Sequence, residues 1–310
     1  MISVIMSIYN EPENWIKDSI NSILEQTFED FEFIIINDNP SRKLNSRILS
    51  SYKSTDKRII VITNEKNIGL TESLNKGIKF SSRKYIARMD ADDISIKNRF
   101  ELQFNFLEEN LDYILCGSSR IDFRGKAQKE TILPLENADI KTELLLRNCI
   151  THPSVMLRSC ILKKHNILYD ETIKKSQDYN LWLKLSGLGK FKNLDTPLIK
   201  YRLSSNQISK MHYTDQYFYS RINRKLYIKK YFEDLNIDIA QDESFNKILN
   251  LKSSSKVKEI YLSSYMLFND EHKIKVYFKL LFRLNFLLFC YVHKFFLVDQ
   301  IHNFKINGKK

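Results

Sequence analysis

The first 123 residues alternate between two hydrophobic periods, and this alternation limits what the chain can fold into more than any other feature. Short apolar runs rich in Ile and Val occupy residues 2–8, 31–36 and 58–62, with a fourth at 84–89. Between them apolar residues recur every three or four positions, as at Trp15, Ile16, Ile20, Ile23 and Leu24, and again at Leu70, Leu74 and Ile78. Strand-like runs separated by helical segments predict βαβ units, whose crossovers lay the strands parallel in one sheet. An unbroken run such as Phe31–Ile36 suits a strand covered on both faces. The expected class is therefore α/β, with a Rossmann-like, mostly parallel sheet flanked by helices.

Three of these strands end in polar residues: Tyr9-Asn10-Glu11, Asn37-Asp38-Asn39-Pro40, and Asp90. In open α/β sheets ligands bind outside the carboxyl ends of the strands. Taken singly, Asn10-Glu11 reads as a helix cap and Asn37–Pro40 as a turn. Three acidic strand ends on one edge point instead to a site.

The segment Asp90-Ala91-Asp92-Asp93 follows the fourth apolar run. In extended backbone, residues two apart point the same way. One carboxylate can then hold a hard divalent cation while the other reaches a hydroxyl or a metal-bound water. Such a cation neutralises a diphosphate as charge develops on it. A second carboxylate, Asp178, stands at the start of an apolar helical pattern bearing Leu181, Trp182 and Leu185. There the helix dipole favours ionisation. Both a general base and a plain helix cap are consistent with that position.

The remaining pattern predicts an amphipathic helix over 97–109, a mixed stretch over 112–157, a helix from about Asp178 to Leu188, and two short strands near 190–194 and 197–203. From about 207 it changes to long, aromatic, Lys-rich helices. Residues 284–298 are apolar for 15 positions, fewer than the roughly 20 needed to span a bilayer. They fit a helix lying in a membrane interface or a buried packing helix. The net charge of +12 admits an anionic membrane, nucleic acid or phosphorylated substrates as partners. The four cysteines lack C-x-x-C spacing and lie among apolar residues, so buried free thiols in a reducing compartment are expected. The N-terminus reads as a core strand and not as a secretory signal, which predicts a cytoplasmic chain.

Several segments resemble the family 2 inverting glycosyltransferases. Ser3–Asn10 resembles their opening strand, and Asn67-Ile68-Gly69-Leu70 with Asn75-Lys76-Gly77 their second nucleotide-side motif. Ala87–Asp93, followed by Asn98–Glu101 and Gln103, resembles their metal motif. His152–Met156 and Gln177–Leu183 resemble the acceptor-side segments, and Tyr201-Arg202 with Gln207 and Ser209 the end of the domain. The resemblance implies a GT-A fold over 1–206, with a nucleotide-binding half to about 110 and an acceptor half over 111–206. Residues 207–310 would form a basic helical extension.

It further implies a UDP-sugar donor, Mn²⁺ or Mg²⁺, and a glycan or lipid-linked glycan acceptor in surface-polysaccharide synthesis. The protein would sit at the inner face of the cytoplasmic membrane. Tyr9, Glu11 and Asp38 would border the nucleobase and ribose, with Asn67 beside them and Arg88 toward the diphosphate. Asp92 would ligate the metal, Asp90 the ribose or metal waters, and Asp178 would be the base. His152, Trp182 and Arg202 would lie on the acceptor side. The chain departs from the family at Gln177, where Glu is common, and at Ser204, where a His often follows the Tyr-Arg pair.

Two other classes compete. A sugar-phosphate nucleotidyltransferase would need a Gly-rich, basic phosphate loop after the first strand, and Tyr9-Asn10-Glu11-Pro12-Glu13 offers neither glycine nor a base. A basic membrane-surface or nucleic-acid-binding protein would leave the acidic edge unexplained, and no nucleic-acid motif is present.

Overall fold

The architecture comes from a computed structural model that describes residues 1–173, 175–204, 213–234, 236–237 and 261. The chain divides into two compact units, one of residues 1–140 with 149–211, the other of residues 141–148 with those from 212 onward. The apolar stretch 284–298, Cys290, Gln207 and Ser209 lie outside the described residues.

In the first unit the elements run β1 (Ile2–Ile8), α1 (Glu13–Leu24), β2 (Phe31–Asn37), α2 (Lys43–Thr55), β3 (Ile59–Thr63), α3 (Leu70–Phe80) and β4 (Tyr85–Asp90). All four strands fall on the predicted apolar runs. They pair in parallel in the order β3-β2-β1-β4. The order reverses at β1: the chain first winds outward to β3, then returns to the other side of β1 as β4. Right-handed crossovers in opposite directions put their helices on opposite faces. The side chains agree. Ile2, Val4, Met6 and Ile8 alternate onto one face and join a core with Ile16, Ile20 and Ile23 of α1 and Ile48 and Leu49 of α2. Helix α3 covers the other face. A Cβ on its Gly77 would stand 2.6 Å from Ile5 Cγ2 and 3.0 Å from Ile36 Cδ1, so only glycine lets this helix approach so closely.

Beyond β4 come β5 (Ile94–Ser95), α4 (Arg99–Glu109), β6 (Tyr113–Arg124), β7 (Ala127–Thr131), α5 (Asn137–Glu143), a 3₁₀ turn at His152–Ser154, β8 (Met156–Arg158), α6 (Ser159–Lys164), α7 (Gln177–Leu185) and β9 (Lys190–Arg202). The sheet continues past β4 as β8-β6-β9-β5, with the β7 hairpin on β6. The stretch whose periodicity is mixed thus holds the antiparallel half of the sheet. Strand β8 runs antiparallel to both β4 and β6, while β9 runs parallel to β6.

Three details differ from the sequence reading. Residues 190–202 form one strand, not two. The register jumps where residues 195–198 face the single residue Ser119, around Pro197, which cannot donate to a ladder. Helix α7 stops at Leu185, and Ser186 Oγ donates to the Leu183 carbonyl there. Cys116 and Cys149 are buried free thiols, but Cys160 is exposed on the first turn of α6.

In the second unit, α8 (Tyr213–Asp234) buries Tyr227, Ile228 and Phe232. Tyr231 and Tyr261 hydroxyls are 2.9 Å apart, and Arg224 Nη1 donates to the Leu146 carbonyl at 2.9 Å. No helix among the described residues is long and apolar enough to cross a membrane.

Candidate active site

The reversal of strand order leaves a crevice outside the carboxyl ends of β1 and β4, the place where open α/β sheets bind ligands. Asp90 ends β4 and pairs in register with Ser7 of β1. From there Asp90, Asp92 and Asp93 converge, and one carboxylate oxygen from each lies within 4.8 Å of the other two. The loop is held rigidly. Ser19 Oγ of α1 donates to the Asp90 carbonyl at 2.8 Å. Gln26, also from the α1 end, donates to the Ile96 carbonyl at 2.8 Å and accepts from the Phe100 amide at 3.1 Å.

Crowding raises the cost of ionising Asp92 and Asp93. Burial, then the charges of Asp90 and Glu11, push Asp92 up to about 7. Burial, then Asp92 and Asp90, hold Asp93 well above the usual carboxylate range. Glu11 is raised as well, by burial first and by Asp90. Asp93 Oδ1 accepts the Arg202 amide at 2.8 Å, but its buried Oδ2 has no hydrogen-bond partner among the described residues. An all-oxygen set with an unmatched buried carboxylate oxygen fits a hard divalent cation such as Mg²⁺ or Mn²⁺.

Two arginines bracket the cluster. Arg88 lies beneath it, buried, and forms an ion pair with Asp90. Burial opposes its charge, but Asp90, Tyr169 and Asp93 together outweigh that and hold the guanidinium protonated. Arg202 lies against the loop. Its Nε donates to the Asp92 carbonyl at 2.7 Å, its Nη2 reaches Asp18 at 3.2 Å, and it stacks between the rings of Trp15 and Phe123.

The other strand ends close the crevice. Tyr9 is exposed after β1, and its amide donates to Glu11 Oε2 at 2.7 Å. Asn45 Nδ2 donates to the Tyr9 carbonyl at 2.9 Å, and Arg42 Nη1 to that of Glu11 at 2.8 Å, so the first turn of α2 fixes this loop. Asp38 is buried after β2. Its oxygens accept Asn64 Nδ2 at 2.8 Å and the Ile68 and Gly69 amides at 2.9 Å each. Gly69 has φ +89°, a conformation that favours glycine and that turns these amides inward. Asn67 is exposed on the loop so formed.

Asp178 is the second residue of α7, in its first turn and partly exposed. His152 Nε2 and Tyr169 Oη are joined by a 2.6 Å hydrogen bond whose direction the imidazole tautomer sets. Burial, reinforced by Arg88, holds His152 well below its ordinary pKa and so neutral. Burial raises the Tyr169 hydroxyl, which lies within electrostatic reach of Arg88, Asp178 and Asp90. Trp182 packs edge-on to His152 at 5.9 Å, and its buried Nε1 has no hydrogen-bond partner among the described residues. Arg88, Tyr169 and Trp182 line one small cavity of about 10 Å³ with Ile5, Leu74 and Val155, room for about one water molecule.

The structure therefore gathers Glu11, Arg88, Asp90 and Asp92 into one charged cluster, and Asp178 lies with Asp90 within electrostatic reach of Tyr169. It places Asp38 beneath the 64–69 loop and Arg202 against the acidic loop. Sequence reasoning passed over Tyr169, Arg42, Asn45 and Asn64. The last three are polar residues at helix starts or strand ends, a weak signal. Tyr169 follows no motif at all.

Residues 3–167 match Glycosyl transferase family 2. The chain is 40% identical over 239 residues to an uncharacterized glycosyltransferase of Methanocaldococcus jannaschii, covering 75% of this chain and 81% of that one. It is 32% identical over 218 residues to the amylovoran biosynthesis glycosyltransferase AmsE of Erwinia amylovora, covering 68% and 79%. The fold resembles that of S. aureus TarS 1-349, solved in complex with UDP-GlcNAc, at TM-score 0.63 and 18% identity, over 89% of this chain and 82% of that one. With the α/β sheet, the acidic loop after β4 and these relatives in agreement, the chain belongs to glycosyl transferase family 2 and has the GT-A fold.

Proposed function

We propose that this enzyme transfers a hexosyl or N-acetylhexosaminyl group, with inversion, from a UDP-sugar to a hydroxyl of a glycan or lipid-linked glycan during surface-polysaccharide synthesis. The observation that carries this reading is the cluster of Asp90, Asp92 and Asp93, with its unmatched buried oxygen, at the switch point of a family 2 domain. The UDP-GlcNAc bound by TarS supports the donor, and the amylovoran pathway named for AmsE supports the acceptor class.

Asp92, with Asp90, would hold Mn²⁺ or Mg²⁺, which when bound neutralises charge on the departing diphosphate. Tyr9, Glu11 and the Asn67 loop that Asp38 secures border the nucleobase and ribose. Asp178 takes the proton of the acceptor hydroxyl as that oxygen attacks the anomeric carbon opposite the leaving group. His152 and Trp182 line the acceptor side, and Arg202 fixes the acidic loop.

The basic second unit would hold the enzyme at the anionic inner face of the cytoplasmic membrane. Phe218, Ile222 and Leu226 are exposed at four-residue spacing on α8, with Arg221, Lys225 and Lys229 beside them. Apolar residues flanked by cations suit an anionic lipid surface.

In a thermal-shift screen, a UDP-sugar should stabilise the protein only when Mn²⁺ is present, and Asp92→Ala should abolish that shift. Failure of every nucleotide sugar to bind would refute the reading. Asp178→Asn should bind the donor within about threefold of wild type while losing about 10²–10⁴ in kcat. Near-normal turnover would remove Asp178 as the base.

Because burial and the charges of Asp90 and Glu11 push Asp92 up to about 7 from 3.8, the native state binds its proton more tightly. Metal-free stability should therefore fall as pH rises through that window, and the stabilisation by Mn²⁺ should grow. Asp92→Asn should flatten both trends, measured as Tm between pH 5.5 and 8. On vesicles rich in phosphatidylglycerol, Leu226→Asp should reduce flotation of the full chain, and unchanged flotation would discard α8 as the contact.

A further inference from the structure

Arg88 is an unusual residue to find inside a sheet-helix layer. It alternates with Ile86 and Asp90 onto the face of β4 that α3 covers, and only 4% of it is exposed. Its surroundings are Ile5, Leu74, Ile78 and Ile86, with Tyr169 and Trp182. Its Nε makes no hydrogen bond among the described residues, and Nη1 meets Asp90 in an ion pair. A second buried guanidinium, Arg99, donates to the Arg88 carbonyl at 2.9 Å and adds a like charge nearby. A guanidinium buried among apolar groups is costly unless a carboxylate compensates it, and three carboxylates within 4.8 Å are costly unless a cation does. Each is the other's partner.

We infer that Arg88 is the counter-ion built into the acidic cluster, and that it competes with a divalent cation for the carboxylate of Asp90. This rests on the metal-dependent reading above. A cation that takes the Asp90 oxygen must displace or weaken the Arg88 ion pair, and it enters beside a fixed positive charge. Arg88 thereby lowers the affinity of the cluster for metal alone and keeps the cluster folded when no metal is bound. It is a positioning residue for Asp90, acting through its charge.

The test is calorimetric titration of the full chain with MnCl₂ at pH 7.5, with no nucleotide present. Arg88→Met should bind Mn²⁺ about tenfold more tightly or better, because a like charge a few ångströms from the ion has gone. Arg88→Lys, which keeps the charge, should stay within about threefold of wild type. Equal or weaker binding by Arg88→Met overturns the inference. Should Arg88→Met fail to fold, ¹⁵N spectra of the wild-type protein decide the matter. The Arg88 Nε resonance, identified by its loss in Arg88→Lys, should shift with Mg²⁺ and saturate with the binding heat. An Arg88 resonance unmoved at saturating Mg²⁺ overturns the inference while leaving the metal reading standing. Absence of any divalent-cation binding by the wild type, with or without UDP, overturns both.

Discussion

Like charges confined at the end of β4 set the terms for the rest of the domain. Asp90, Asp92 and Asp93 share a space in which one of their oxygens each lies within 4.8 Å of the others, and burial raises the cost of ionising Asp92 and Asp93. Such a cluster is stable only if its geometry is imposed from outside. Arg88 supplies charge from below, and Arg202 ties the loop by its amide and its Nε. Ser19 of α1 and Gln26 just beyond it hold the backbone on either side. Residues outside the acidic loop thus determine where its carboxylates stand.

The same logic extends into the core. Arg99 is buried without an acidic partner within hydrogen-bond reach among the described residues. Its guanidinium donates instead to the carbonyls of Arg88 and Val155 and to Gln103, whose amide in turn reaches the carbonyls of Cys116 and Ser154. Burial and the neighbouring Arg88 pull it down to about 9. This network stitches β4, β6 and the 3₁₀ turn before β8 together where parallel pairing gives way to antiparallel pairing. Buried donors that meet several backbone acceptors specify one arrangement of these strands, since any other would leave polar groups unmatched.

The parallel half of the sheet was legible because its strands are covered on both faces and read as continuous Ile and Val runs, and the polar strand ends stood out against them. The antiparallel half was not. Residues 113–131 form a hairpin whose outer strand is almost wholly exposed, so its period carries little hydrophobic signal. At 195–198 a register jump around Pro197 split one strand into two apparent ones. Cys160 lies beside apolar residues in sequence yet faces solvent, because helical rotation separates neighbours.

For the candidate site, the sequence by itself determined which carboxylates end which strands. Strand alternation and the α/β order leave little freedom there, and Asp90, Asp92 and Glu11 follow directly. Their partners were decided only by tertiary structure. That Asp38 spends its oxygens on the loop carrying Asn67 and that Tyr169 joins His152 depend on contacts between residues 17 to 31 positions apart. Arg202 reaches the acidic loop from 110 positions away. Local periodicity reports which face a side chain takes. Which charge it meets there depends on how the β1–β4 half and the β6–β9 half of the sheet close around one another, and no local pattern encodes that.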